Sequence, residues 1–136
     1  MQQGQRLMKE FRVIFNKLAW LNKHEMEQQL KGYTPSEIHC LEAIRYTTQP
    51  NVQKLSQQLF MTRGAVSKLT KKLLNKSLIE RYQDASNKKE IYYRLTEEGE
   101  QIERLHQQIH EKYQARDARV FEEMSEAEIC LLYTSP

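Results

Sequence analysis

The sequence predicts a mainly α-helical fold carrying one small β-hairpin. Four Gly and three Pro in 136 residues are too few turn formers for an all-β chain, and the abundant Gln, Glu, Lys and Leu favour helix. Apolar residues recur at steps of three and four along most of the chain, the period of a helix face. After Ser77 that period gives way to two short β-branched and aromatic runs, the pattern of a hairpin. At this length residues 1–136 are expected to form one domain whose core needs neither a disulfide nor a structural metal.

The elements follow in order. Residues 5–31 carry Leu7, Phe11, Ile14, Leu18 and Leu21 on one helical stripe that needs a partner to cover it. In "YTPSEIHCLEAI" Thr34 is placed to cap a second helix, Pro35 suits its first turn, and Glu37 completes a capping box. Ile38, Leu41 and Ile44 form its inner side. The chain breaks at Pro50 and restarts at Asn51 as a short helix with Val52, Leu55 and Leu59 inward. Phe60 and Met61 lead to Thr62, which can cap a helix over about 62–76 built on Val66, Leu69 and Leu73. The runs "LIERYQ" and "IYYRL", around polar "DASNKKE", make a hairpin over about 78–95. Thr96 then opens a long helix with Ile102, Leu105, Ile109 and Tyr113 on one stripe and Gly99 as an internal weak point. Ser125 and Glu128 box the start of a last helix, which stops soon after at "CLLYTSP", with the look of a truncated end. Two short helices joined by a tight turn and followed by a hairpin describe a winged helix-turn-helix over 34–95.

Charge distribution says more than the net value of +3. Arg63, Lys68, Lys71, Lys72 and Lys76 lie in a helix-sized segment without an acid, whereas Glu97 to Glu103 is strongly acidic. No apolar run approaches a membrane span, and "MQQGQRLMKE" lacks the apolar core of a signal peptide, so a cytoplasmic protein without a membrane partner is expected. Cys40 and Cys130 form no C-x-x-C pair and are expected to be packing residues. The chain is not expected to be an enzyme. It has no nucleophile with an ordered His and acid partner, and no phosphate-cradling glycine loop. "HQQIH" departs from the metalloprotease H-E-x-x-H at Gln107, which cannot act as a general base.

Double-stranded DNA is the partner this pattern suits. The first turns of the 62–76 helix present Thr62, Arg63, Gly64, Ser67 and Lys68, and Lys71 and Lys72 follow on its polar side. Arg and Lys can donate to guanine in the major groove, Ser can reach either base type, and a helix N-terminus favours phosphate. Lys88 and Lys89 stand where a wing would meet the minor groove or the phosphates. The stretch "NVQKLSQQLFMTRGAVSKLTKKLLNKSLIERYQ", followed by "IYYRLTEEGE", resembles the multiple-antibiotic-resistance regulator (MarR) family of transcription factors, and the order of helices agrees over nearly the whole chain. The resemblance implies a homodimeric regulator, expected to repress, that reads a palindromic operator. It makes 5–31 and 96–136 dimerisation helices and puts Arg63, Ser67 and Lys68 in the base-contacting part of the recognition helix. The chain departs from the family pattern in two ways. Asn87-Lys88-Lys89 replaces the wing's usual Asp-x-Arg, and Phe60 and Ser77 stand where the family has Gly.

His106 and His110 are four residues apart, one helical turn, as helix-borne zinc sites require. With His39 and a carboxylate near His24 they would supply the four N and O ligands zinc prefers. By position the set also resembles the zinc-responsive adhesin-competence repressor (AdcR/ZitR-like) subgroup of the family. That resemblance implies a regulatory zinc on Glu25, His39, His106 and His110. The acidic positions of the subgroup's second site fall on Ile38 and Leu105, so that site is not expected. Two alternatives stay open: a small phenolic or aromatic effector near Phe15, Trp20 and Tyr33, or a dimeric scaffold that does not bind DNA.

Overall fold

The computed structural model describes residues 2–134. Its elements run α1 (Gln3–Gln29), α2 (Pro35–Tyr46), α3 (Val52–Leu59), α4 (Arg63–Asn75), β1 (Ile79–Asp84), β2 (Asn87–Leu95), α5 (Glu97–Ala118), a 3₁₀ turn (Arg119–Phe121) and α6 (Glu126–Thr134). The two strands form one antiparallel sheet, so the fold is mainly helical with a single hairpin. No described helix is long and apolar enough to cross a membrane. Two compact units emerge, a winged lobe of Gln29–His106 and a helical unit drawn from 1–28 and 107–136.

In the winged lobe each helix begins where a side chain satisfies an orphan amide. Thr34 Oγ1 accepts from Glu37 N at 3.2 Å, Asn51 Oδ1 from Lys54 N at 2.8 Å, Thr62 Oγ1 from Ala65 N at 3.1 Å and Thr96 Oγ1 from Gly99 N at 3.1 Å. Only half of the expected box at α2 forms. The Glu37 carboxylate meets Lys76 Nζ at 2.6 Å instead, because a buried carboxylate gains more from an ammonium than from one amide. Leu41, Leu55, Val66 and Leu73 are wholly buried where α2, α3 and α4 meet, and Leu78, Ile79 and Tyr93 close the core from the hairpin. Each such aliphatic side chain contributes roughly 1.5–3 kcal/mol by burial. Cys40 belongs to this core. Burial pushes its thiol up to about 12, which makes it chemically inert.

Gly99 is less a weak point than a requirement. A Cβ there would lie 2.0 Å from the Leu78 carbonyl oxygen, so only glycine lets the start of α5 reach the end of the α4–β1 connection. Phe60 and Ser77 hold left-handed backbone with φ of 52° and 58°, as does Gln49 at 48°. The first two are the positions where the pattern that this sequence resembles has glycine, and the chain bears the modest strain of a side chain at each. In the hairpin Ile79 faces Leu95, Tyr82 faces Tyr92 and Asp84 faces Asn87, with an irregularity between Tyr82 and Asp84.

In the helical unit α1 has no buried residue, and Leu7, Phe11, Ile14 and Leu21 of its stripe are exposed. Phe15 and Trp20 are each 65% exposed, so in this single chain neither packs into a core. Tyr113 on α5 donates its hydroxyl to the Asn22 carbonyl at 2.9 Å, and Arg116 Nη2 reaches Asn22 Oδ1 at 3.0 Å. The Ser125–Glu128 box forms in both directions, with Ser125 N donating to Glu128 Oε1 at 3.2 Å and Glu128 N to Ser125 Oγ at 3.2 Å. Cys130, expected as a packing residue, is exposed on α6. Ser135 and Pro136, the end of the expected dimerisation segment, lie outside the described residues.

Candidate nucleic-acid interface

The α4 helix has two unlike faces. Val66, Leu69, Thr70 and Leu73 are buried, and Thr70 turns its hydroxyl back to the Ser67 carbonyl at 3.0 Å. Thr62, Arg63, Gly64, Lys68, Lys71 and Lys72 are exposed, and Ser67 is half-buried at the edge between the faces. Gly64 has normal helical backbone and nothing within 4 Å of where a Cβ would be, so packing does not require glycine there. Its effect is a low profile in the first turn. Free amides at the N-terminus, cations behind them and no acid along the helix together create a surface suited to polyanions.

The hairpin is tied to the lobe at several points. Tyr93 N donates to the Pro50 carbonyl at 3.0 Å, Asn51 Nδ2 to Glu90 Oε2 at 3.3 Å and Gln49 Nε2 to Asp84 Oδ2 at 3.0 Å. Asp84 Oδ1 also accepts from Ser86 N at 3.1 Å. That bond, joined by the Ser86 side chain and by Gln49, holds the carboxyl below the usual range against the opposing effect of desolvation. Lys88 and Lys89 are exposed in the first residues of β2, beside the two-residue turn at Ala85 and Ser86 and not within it. Sequence reasoning missed Gln49, Asp84 and Glu90. Bonds that span 35 or 39 residues leave no periodic trace.

The four proposed metal ligands divide between the units. His39 is exposed on α2, and His106 is buried with its Nδ1 3.4 Å from Glu103 Oε2 and 4.0 Å from Glu42 Oε2. Glu103, fully buried, was not anticipated, since an acid on an apolar stripe reads as an interruption. In the helical unit Glu25 accepts from Lys112 Nζ at 2.9 Å, and His110 is exposed with its ring edge-on to Tyr113. His24 stacks on Trp20 with ring centroids 5.5 Å apart. Within either unit the described residues bring no three His, Cys, Asp or Glu side chains together as a metal site. The winged lobe also has a cleft of about 440 Å³ lined by His39, Glu42, Tyr46, Gln58 and Phe60, among others.

Comparison with known proteins agrees with the fold. Residues 33–91 match the family model described as MarR family. The chain is 34% identical over 110 residues to the HTH-type transcriptional regulator YhjH of Bacillus subtilis (strain 168), covering 80% of this chain and 63% of that protein. It is 34% identical over 95 residues to the regulator YvnA of the same organism, covering 70% and 60%. The chain thus spans less than two thirds of the length of these relatives. Among solved structures, Streptococcus pneumoniae FabT in complex with DNA superposes with a TM-score of 0.76 at 25% identity, over 96% of this chain and 90% of that one. A MepR variant of S. aureus bound to an oligodeoxyribonucleotide shares the fold, with a TM-score of 0.65 at 21% identity over 90% of each chain. These relatives carry the name of HTH-type transcriptional regulators, and the residues that match the MarR family model, 33–91, lie within the winged lobe.

Proposed function

We propose that the chain is a DNA-binding transcriptional regulator, a repressor that grips a palindromic operator as a homodimer and responds to an effector. The outer face of α4 carries the reading: Arg63, Lys68, Lys71 and Lys72 stand exposed on a capped helix without an acid. In this account the first turns of α4 enter the major groove, where Arg63 and Lys68 donate to guanine and Ser67 to either base type. Gly64 lets the backbone come close, and Lys71 and Lys72 neutralise phosphates. Lys88 and Lys89 extend the grip from the wing. Two lobes spaced about one DNA turn apart would reach both half-sites. The DNA complexes of FabT and MepR, similar in fold, support the assignment.

The test is duplex binding across a salt series. Log affinity should fall linearly with log salt. Lys71→Ala should weaken all sequences alike, whereas Arg63→Ala should also relax the preference for guanine at one position, worth about 1–3 kcal/mol. Duplex binding that is absent or indifferent to salt would leave the dimeric scaffold as the better description.

Zinc is the proposed effector, held by Glu25, His39, His106 and His110. The donor types fit: three imidazoles suit zinc, and a carboxylate beside His106 Nδ1 is the partner a ligating histidine commonly has. Glu25 fits less well, because the Lys112 ammonium already holds its carboxylate. Bound zinc would supply a cross-link among helices α1, α2 and α5. It would favour DNA binding only if its affinity were higher for the DNA-competent spacing. A small organic effector is the second reading, favoured by the cleft that His39, Tyr46 and Phe60 line. Chelator competition on metal-free protein separates them. Tight binding near one zinc per chain, lost in His39→Ala, supports the metal; weak binding indifferent to His39 supports the organic ligand. Zinc-dependent DNA affinity that survives His110→Ala would refute the proposed coupling.

A further inference from the structure

We infer that Gln49 is a positioning residue that aims the wing, an inference that rests on the DNA reading above. Gln49 lies between α2 and α3, yet its amide donates to Asp84 at the end of β1, 35 residues further along the chain. Asp84 pairs with Asn87, next to Lys88. Its second oxygen accepts from Ser86 N, Lys89 N donates to Asn87 Oδ1 at 3.3 Å, and Gln83 Nε2 donates to the Lys88 carbonyl at 3.1 Å. Gln49 thus holds Asp84, whose chain neighbour Gln83 and strand partner Asn87 in turn bond the backbone of the two wing lysines. The Pro50–Tyr93 and Asn51–Glu90 bonds hold the hairpin further from its turn, so Gln49 acts on the end that carries the cations.

The backbone supports the same conclusion. Gln49 is held at φ 48°, where glycine would sit without strain. A side chain is kept there against that preference, and its amide is used on Asp84. A two-stranded ribbon is at best marginally stable by itself, and a mobile wing would have to be ordered each time DNA bound. With the clamp in place Lys88 and Lys89 are already set, so less ordering accompanies binding.

Gln49→Gly and Gln49→Asn both tolerate the left-handed backbone and both lose the reach to Asp84. Each should unfold within about 3 °C of the wild type, since strain relief offsets the lost bond. Each should bind duplex roughly threefold to tenfold more weakly, the range of one side-chain hydrogen bond. The decisive readout is coupling. In the wild type, replacing Lys88 and Lys89 with Ala should weaken binding and flatten the salt slope by about two for each lobe on the DNA, or about four for the dimer. In the Gln49→Gly background the same replacement should have a much smaller effect. Wild-type affinity in Gln49→Gly, or an equal fold-loss from the lysine replacement in both backgrounds, overturns the role of Gln49. Failure of the wild type itself to bind duplex would instead overturn the DNA reading, and the inference with it.

Discussion

Glu37 and Lys76 illustrate how little a charged pair's energy depends on the bond alone. Their contact is 2.6 Å, but the side chains are 3% and 38% exposed, so the carboxylate has lost its water and the ammonium has kept much of it. Lys76 also donates to the Gly32 carbonyl at 3.1 Å and lies 5.3 Å over the Tyr33 ring, which fastens the end of α4 to the start of α2. Lys76→Met should therefore cost more than Glu37→Gln, about 3 kcal/mol against about 1–2, because it strands the more deeply buried charge. Urea unfolding of the two variants decides the point, and equal or reversed losses would sink it. A second residue-scale prediction concerns acid. Asp84 has a depressed carboxyl in the fold, so its contribution is present above its unfolded value of about 3.9 and is lost as pH falls through the lower folded one. The protection of the Ser86 amide against exchange, relative to the intrinsic rate at each pH, should fall as the pH drops through that acidic window; protection independent of pH there would contradict the assignment. Neither pair was legible beforehand. Glu37 reads from sequence as half of a capping box, and only the folded chain brings Lys76 to it.

At the scale of elements the sequence was far more informative. The start of α4 and its buried face are encoded locally, by Thr62 and by Val66, Leu69 and Leu73 at helical spacing, and so are visible without tertiary knowledge. The hairpin was visible for the same reason, as a change of period. What escaped was packing between elements, and Gly99 shows why. Propensity marks it as a flaw in α5, whereas the 2.0 Å approach of a built Cβ to the Leu78 carbonyl makes it the residue that lets helix and strand meet. Gly99→Ala should raise intrinsic helicity and still destabilise the fold, by about 1–3 kcal/mol from overpacking against backbone that cannot yield. Thermal unfolding reads this directly. An unchanged or higher midpoint would mean that α5 shifts freely and that the close approach is incidental.

For the whole molecule the unanswered physical demand is the apolar side of α1. Leu7, Phe11, Ile14 and Leu21 are each between 42% and 54% exposed, on a helix with no buried residue. A continuous apolar face of that length is more than scattered surface residues require, and a second copy of the chain is the partner proposed for it. If so, two properties must change together. In the wild type the mass in solution should be about twice the 16.3 kDa of one chain. The salt slope of DNA binding should then reflect the cations of two lobes. Phe11→Asp puts a charge on the apolar face, remote in sequence from α4 and the wing. It should reduce the mass to that of one chain and cut the salt slope by roughly half, because one lobe then neutralises the phosphates of one half-site only. Sedimentation and a salt titration on the same preparation test the linkage. A monomeric variant with the full slope would show that the dimer is not the species that binds. A variant still dimeric would place the interface elsewhere than on α1.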